Sequence, residues 1–362
     1  MSTLKVNSIT NNGNAINFTT DLAIGSGKAI REYYSQGIEP LLASNGAVWW
    51  DTTNNTYKIL LDDTWYTVTY LVPPPSFLGD RGIFAGGQSS NVIDYVTIPT
   101  TSNATDFGDL LTTVSGLGAS SNGIRGVFGT GALQYITIST ISNAISFGNL
   151  TVTRSELAAT SGTTRGIFAG GGVYPTEYNI IDYITIATAG NAIDFGDLTA
   201  ATYGLAACSN STYSIFAGGA TDLDVGTATN VISYVITDTL SNATSFGTLT
   251  AARYRPAGLS DGVKGVFAGG GSNGNYNSGL NIIDYITIST TSNATDFGDL
   301  ISARNYTAGT SNSTRGVVGG GYDTSMTQLN SIEYITIATT SNAASFGTLT
   351  TSRNNLSACS GN

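Results

Sequence analysis

Residues 81–87 read RGIFAGG, and close variants return as RGVFGTG (125–131), RGIFAGG (165–171), YSIFAGG (213–219), KGVFAGG (264–270) and RGVVGGG (315–321). The six starts are 44, 40, 48, 51 and 51 residues apart. Three further elements keep step with this phrase. An alternating apolar run follows it, such as IDYVTI (93–98), with a tyrosine at 95, 135, 183, 234, 285 and 334. A stretch ending Phe-Gly-x-Leu comes next, its phenylalanine at 107, 147, 195, 246, 297 and 346. A run of small residues closes the unit, with a serine at 121, 161, 209, 260, 311 and 360.

Each unit is therefore four short β-rich runs separated by turn residues, with no helical period. Four strands in 40 to 51 residues, written six times, predict an all-β chain folded as a six-bladed β-propeller. A β-solenoid would repeat at a shorter period. A single blade leaves both faces exposed, whereas a closed ring covers them all, which gives six copies a purpose.

The order Arg-x-x-x-small-small, strand-Gly-Gly, x-Tyr-x-x, Phe-x-x-Leu resembles the kelch repeat over about residues 80–362. Arg154, Arg253, Arg304 and Arg353 match the kelch-like arginine, Val114 and Thr202 depart from it, and Phe stands where the family has Trp. The resemblance implies that the arginine-bearing run is the innermost strand of the following blade. The glycine pair then ends the second strand, the tyrosine lies on the third and the phenylalanine on the outer fourth. In this register nothing before Asp80 supplies an innermost strand for the first blade. SRNNLSACSGN (352–362) is one to spare, so it is expected to close the ring and bring Asn362 beside Asp80. Cys208 and Cys359 occupy one register position in blades four and one, too far apart to bridge, so two free thiols are expected.

The chain carries 41% hydrophobic and 10% charged residues, a net charge of −10 and no histidine. An acidic surface disfavours nucleic acid and anionic membrane, so neither is expected as a partner. No apolar run reaches the ~18 residues of a membrane helix, and MSTLKVNSIT has no signal-peptide pattern, so membrane insertion is not expected. No cofactor or metal is expected either. GSGK (25–28) has Leu22 in place of the first phosphate-loop glycine and Ala29 in place of the Ser/Thr. The DFG triplets at 106–108, 194–196 and 296–298 recur as one element of the repeat. Pairs such as Asp106/Asp109 offer oxygen ligands for calcium but read as solvated turn carboxylates. Without histidine, a histidine copper site and a histidine general base are excluded. A glycosidase needs two facing carboxylates, and nothing singles out a pair among Glu177, Asp222, Asp224 and Asp323. No catalytic residue is assigned, and the chain is read as non-enzymatic.

Three domains follow: 1–72, a β-rich anchoring and oligomerisation domain; 73–79, a Pro-rich linker containing PPPS; and 80–362, the propeller head. VWWDTTNNTYKILLDDTWYTVTY (48–70) alternates around turns at Asn54-Asn55 and Asp62-Asp63, predicting a three-stranded meander. The opening MSTLKVNSITNNGNAINFTTDLAIGSG resembles the start of bacteriophage tail-fibre and other virion proteins. The stretch G-x-x-W-W-D-T-T-x-x-x-Y-K (46–58) resembles a segment met in phage fibres. These resemblances imply a homotrimer docked to other tail or baseplate proteins, located in the virion and extracellular after host lysis. So small a segment buries Trp49, Trp50 and Trp65 poorly by itself, so they are assigned to the interface.

The connections between glycine pair and tyrosine strand vary most: QSSNV in blade one, Ala132 alone in blade two, then 172–180, 220–231, 271–282 and 322–331. The four long ones are rich in Tyr, Asn, Asp, Ser and Gly, as adaptable contact surfaces are. Tyr174, Tyr178, Asp222, Tyr276, Asn277 and Tyr322 are the expected binding residues, with a host-surface glycan or protein as partner. The expected role is a tail fibre or receptor-binding subunit. The alternatives are a carbohydrate-acting depolymerase or glycosidase, and a capsid or tail decoration protein without host contact.

Overall fold

The computed structural model describes residues 4–6, 9–12, 15–18, 33–36, 47–51, 56–61, 64–70, 78–224, 226–272 and 277–362. Their regular structure is all β, without a helix, and the chain divides into compact units Met1–Pro74 and Pro75–Asn362.

In the first unit the meander strands Val48–Asp51, Thr56–Leu61 and Thr64–Tyr70 pair antiparallel in the expected order. The sheet is wider than expected. Tyr33–Gln36 adds parallel to one edge and Leu4–Val6 parallel to the other, making five strands, and Ile9–Asn12 pairs with Ala15–Phe18 in a separate hairpin. Antiparallel neighbours joined by short turns leave a local pattern in sequence; parallel partners far apart in the chain leave none. Trp49, Trp50 and Trp65 pair in register with Lys58, Tyr57 and Leu60, while the interface role expected for their side chains lies outside the described residues.

The second unit is a six-bladed β-propeller, each blade one four-stranded antiparallel sheet. Blade two runs outward from Gly118–Ser121 through Arg125–Gly129 and Ala132–Thr137 to Ile145–Asn149, and blades three to six repeat that order. Blade one takes Arg81–Ala85, Val92–Thr97 and Thr105–Asp109 from its own repeat, and its innermost strand is the C-terminal Ser357–Gly361. The closure is pinned where the sequence placed it. The Asp80 amide donates to Asn362 Oδ1 at 2.9 Å, and Asn312 Nδ2 of blade six donates to Asp80 Oδ1 at 2.8 Å.

The repeated residues are the joints between blades. The phenylalanines of the repeated phrase, such as Phe84, Phe128 and Phe168, are fully buried and pack against neighbouring blades. Where the phrase opens with Arg or Lys, in five of the six blades, that residue lies over its own blade's tyrosine, as Arg125 does over Tyr135 at 4.5 Å, and donates to the next blade, here to the Ala187 carbonyl at 2.7 Å. Each of the six tyrosines meets its outer-strand phenylalanine edge to face, with centroids 5.8 to 6.1 Å apart. They are packing residues, as their spacing predicts. The recurrent asparagine before each outer strand latches blades together: Asn143 Oδ1 accepts the Asp109 amide of blade one at 3.0 Å, and the other five copies do the same.

The arginine register proves to be one half of a pair. Arg154 meets Asp182 at 2.8 Å, Arg253 meets Asp284 at 2.8 Å, Arg353 meets Asp94 at 2.6 Å, and Arg304 pairs with Glu333. These side chains are at most 4% exposed, and burial pushes Arg253, Arg304 and Arg353 below the usual guanidinium value against the pull of their acids. A lone buried charge is costly, so losing one partner favours losing both. Where Val114 and Thr202 replace arginine, the acid position holds Gln134 and Ser233. The departures from the repeat are compensated.

Innermost strands pack side by side around the axis. The recurrent serines tie neighbours together: the Ser121 hydroxyl donates to Ser360 O at 2.6 Å, Ser360 to Ser311 O at 2.7 Å, Ser311 to Ser260 O at 2.6 Å and Ser209 to Ser161 O at 2.6 Å. Cys208 and Cys359 are free and buried in different blades, and burial pushes both thiols well above their ordinary pKa.

Candidate functional site

The propeller has two unlike ends. Leu78–Asp80 lead into the second strand of blade one at the end carrying the serines, where Leu78 lines a lower chamber. The glycine pairs and the variable loops lie at the opposite, upper end. There a bowl opens around the axis, separated from the lower chamber by a waist of Ala119, Ala159, Ala207, Gly258, Gly309 and Ala358.

One register position forms the upper mouth: Gly116, Glu156, Gly204, Arg255, Tyr306 and Asn355, one from each blade. All six have left-handed backbone, with φ between +55° and +65°. That conformation costs a non-glycine residue about 1–2 kcal/mol, so four side chains are held here against local preference. A circlet of backbone bonds holds them. Glu156 N donates to Gly116 O at 2.7 Å, Gly204 N to Glu156 O at 2.7 Å, Arg255 N to Gly204 O at 2.6 Å, Asn355 N to Tyr306 O at 2.9 Å and Gly116 N to Asn355 O at 3.0 Å.

The four side chains close the mouth. Arg255 Nε meets Glu156 Oε2 at 2.8 Å, and Asn355 Nδ2 donates to Glu156 Oε1 at 2.6 Å. The Arg255 guanidinium lies 3.8 Å from the Tyr306 ring centroid and 5.1 Å from that of Tyr254. The two glycines make room: a Cβ on Gly204 would sit 2.8 Å from Arg255 Cγ, and one on Gly116 3.0 Å from Glu156 Oε1. Arg255 and Glu156 remain 14% and 15% exposed, so the plug is also the floor of the upper face. Beneath the loops Tyr203, Tyr254 and Tyr306 form a buried aromatic cluster extended by Tyr322. Burial pushes the Tyr203 hydroxyl above its ordinary pKa, opposed by Arg255.

The expected loop residues share this upper face, and neighbouring loops are braced against each other. Tyr174 is 70% exposed, and its interaction with the Asp224 carboxylate of the next loop holds its hydroxyl above the ordinary tyrosine pKa. Asp222 is half-buried; its Oδ1 accepts the Asp224 amide at 2.8 Å and its carbonyl accepts the Tyr203 hydroxyl at 3.2 Å. Glu177 Oε1 accepts the Leu223 amide at 2.6 Å, tying the same two loops. Tyr322 donates to Gln88 Oε1 of blade one at 2.9 Å. Tyr178 is half-buried at the loop base, where its backbone bridges Gly171 and Thr202, and Asn277 is exposed. Tyr276 lies outside the described residues.

Glu156, Arg255, Tyr306 and Asn355 escape a reading based on loop length, because they sit in the regular part of the repeat. Their signal was nevertheless present: one register position reads Gly, Glu, Gly, Arg, Tyr, Asn while its neighbours stay small or apolar. The chain matches no protein-family model and no curated protein sequence.

Proposed function

We propose that the propeller is the recognition head of a non-enzymatic bacteriophage virion protein, a tail fibre or receptor-binding subunit that attaches to a component of the host surface. The observation that carries this reading is the polarity of the ring. The incoming chain and the serine belt occupy one end; the long, mutually braced loops and the plugged mouth occupy the other. A face built on a rigid scaffold away from its tether suits attachment. The kelch-like repeat and the fibre-like opening of residues 1–72 agree with it. On this proposal the N-terminal unit docks on tail or baseplate proteins and trimerises through Trp49, Trp50 and Trp65.

The test is adsorption of the full-length chain to a panel of bacterial strains. Replacing 172–180, 220–231, 271–282 and 322–331 by blade two's short connection should abolish it, and Tyr174→Ala should weaken it if the loop-shortened chain fails to fold. Undiminished adsorption of both variants would overturn the assignment of this face. Release of reducing ends from the bound strain's surface polysaccharide would instead support the carbohydrate-acting enzyme. Sedimentation of the full chain at micromolar concentration tests the trimer, and a monomer would refute it.

A further inference from the structure

The tether enters the head at the seam of the ring. Asp80, just before Arg81–Ala85, is held on three sides. Its amide donates to Asn362 Oδ1 at 2.9 Å, its carbonyl accepts the Ile98 amide at 2.7 Å, and its carboxylate accepts Asn312 Nδ2 of blade six at 2.8 Å. Arg81 then donates to the Ile138 carbonyl of blade two at 2.7 Å. Gly79 is buried so closely against Gly361 that an added Cβ would stand 2.1 Å from that residue's carbonyl carbon. Leu78 reaches the lower chamber, whose wall takes residues from all six innermost strands, so the chain leaves the ring on its axis.

The strand that this tether continues into is not an edge. Arg81–Ala85 is paired over its whole length on both sides, with Ser357–Gly361 and with Val92–Thr97, five register pairs to each. Antiparallel hydrogen bonds run perpendicular to the strands, so a pull along the strand loads both ladders at once rather than opening them pair by pair. Ser357–Gly361, beside it, has a ladder on one side only. Beyond that ladder it is tied by the Ser121 hydroxyl to Ser360 O, by the Ser360 hydroxyl to Ser311 O and by the Asn362 amide to Gly123 O. A load arriving on the axis also exerts little torque on the disc, whereas a load on the rim would tilt one blade away from its neighbours.

We infer that Leu78–Arg81 form a load-bearing coupling. Tension in the tether passes along the ring axis into an interior strand, and from there into blades one, two and six. The lower end of the head thus has a mechanical function, whatever the upper face binds.

The test stretches single full-length molecules between an anchor on the exposed Thr221 of an upper loop, as Thr221→Cys, and one of two lower handles. One handle is Ser76→Cys in the tether, the other a cysteine added after Asn362; Cys208 and Cys359 are buried and stay unlabelled. Both handles pull the same way, one on the doubly paired strand and one on the singly paired strand. Through Ser76 the head should fail in a single event at about twice the force needed through Asn362, because forced unfolding follows the barrier that is crossed. Through Asn362 a short first step should precede failure of the ring, as Ser357–Asn362 peels away and frees up to about 20 Å of chain. Leu78→Ala combined with Asp80→Ala should lower the force through Ser76 and leave the force through Asn362 unchanged. Equal forces through the two handles, or a weaker tether path, would overturn the inference. So would a double variant that leaves the Ser76 force unchanged or lowers both forces equally. None of these readouts involves adsorption to cells, so failure here leaves the recognition reading standing.

Discussion

Exchanging the buried pair of blade three for the neutral pair of blade two would test whether arginine and acid act as one unit. The cycle comprises Arg154→Val, Asp182→Gln and the double variant, which copies Val114 and Gln134. Arg154 and Asp182 are both fully buried and 2.8 Å apart. Removing Arg154 leaves Asp182 charged, with the Thr151 amide and hydroxyl as remaining donors. Removing Asp182 leaves a guanidinium held by the carbonyls of Gly170, Val152, Phe168 and Ile180. Each single change should therefore cost about 3–5 kcal/mol, the usual penalty for a stranded buried charge. The double variant strands no charge and loses mainly packing volume and carbonyl partners, so it should cost less than either single variant. The coupling across the cycle should then exceed about 2 kcal/mol. Urea unfolding provides the assay. All three tryptophans lie in Met1–Pro74, so their fluorescence serves as an internal control while far-UV circular dichroism follows the propeller. If the losses of the single variants simply add, to within about 0.5 kcal/mol, the pair is not a unit and the compensated departures of blades two and four need another explanation.

Other consequences are as direct. Ending the chain after Thr351 removes the innermost strand of blade one and uncovers the edge of Arg81–Ala85; the protein should lose its cooperative melt and self-associate, as seen by scanning calorimetry and light scattering. Cys208 and Cys359 should ignore a thiol reagent in buffer and both react in denaturant, two equivalents per chain, because burial keeps each thiol protonated and shielded. Gly204→Ala brings a methyl 2.8 Å from Arg255 Cγ at φ +63°, so a loss of about 1–3 kcal/mol is expected in urea unfolding. Asn191→Ala breaks one latch between blades, leaving the Asn149 amide unpartnered, and should cost about 1 kcal/mol by the same measurement.

The sequence made the ring legible because every joint uses the same residues. The tyrosine, the outer-strand phenylalanine and the small-residue strand each meet the same neighbour six times, so spacing alone carries their packing. The spare C-terminal strand could be assigned from register for the same reason. What stayed hidden depends on pairs whose two members lie in different repeats. The acids facing the arginines look like ordinary members of an alternating strand until the fold turns Asp182 toward Arg154. The mouth was harder still, since Glu156 and Arg255 meet across a whole intervening blade and repetition cannot announce a contact made once. For the loops, the face was legible in sequence but not the bracing of one loop by the next, as Glu177 braces Leu223 and Gln88 braces Tyr322.

That skipping of a blade has an architectural consequence. The joints between adjacent blades are interchangeable, so nothing in them counts to six; a ring of five or seven could reuse them all. The plug is different, because it joins alternate blades: Arg255 of blade five reaches over Gly204 to Glu156 of blade three, which reaches over Gly116 to Asn355 of blade one. Adding or deleting one repeat would change those spans and part the three side chains. The mouth thus acts as a gauge of ring size, and gene rearrangements that shuffle whole repeats would be read out there first.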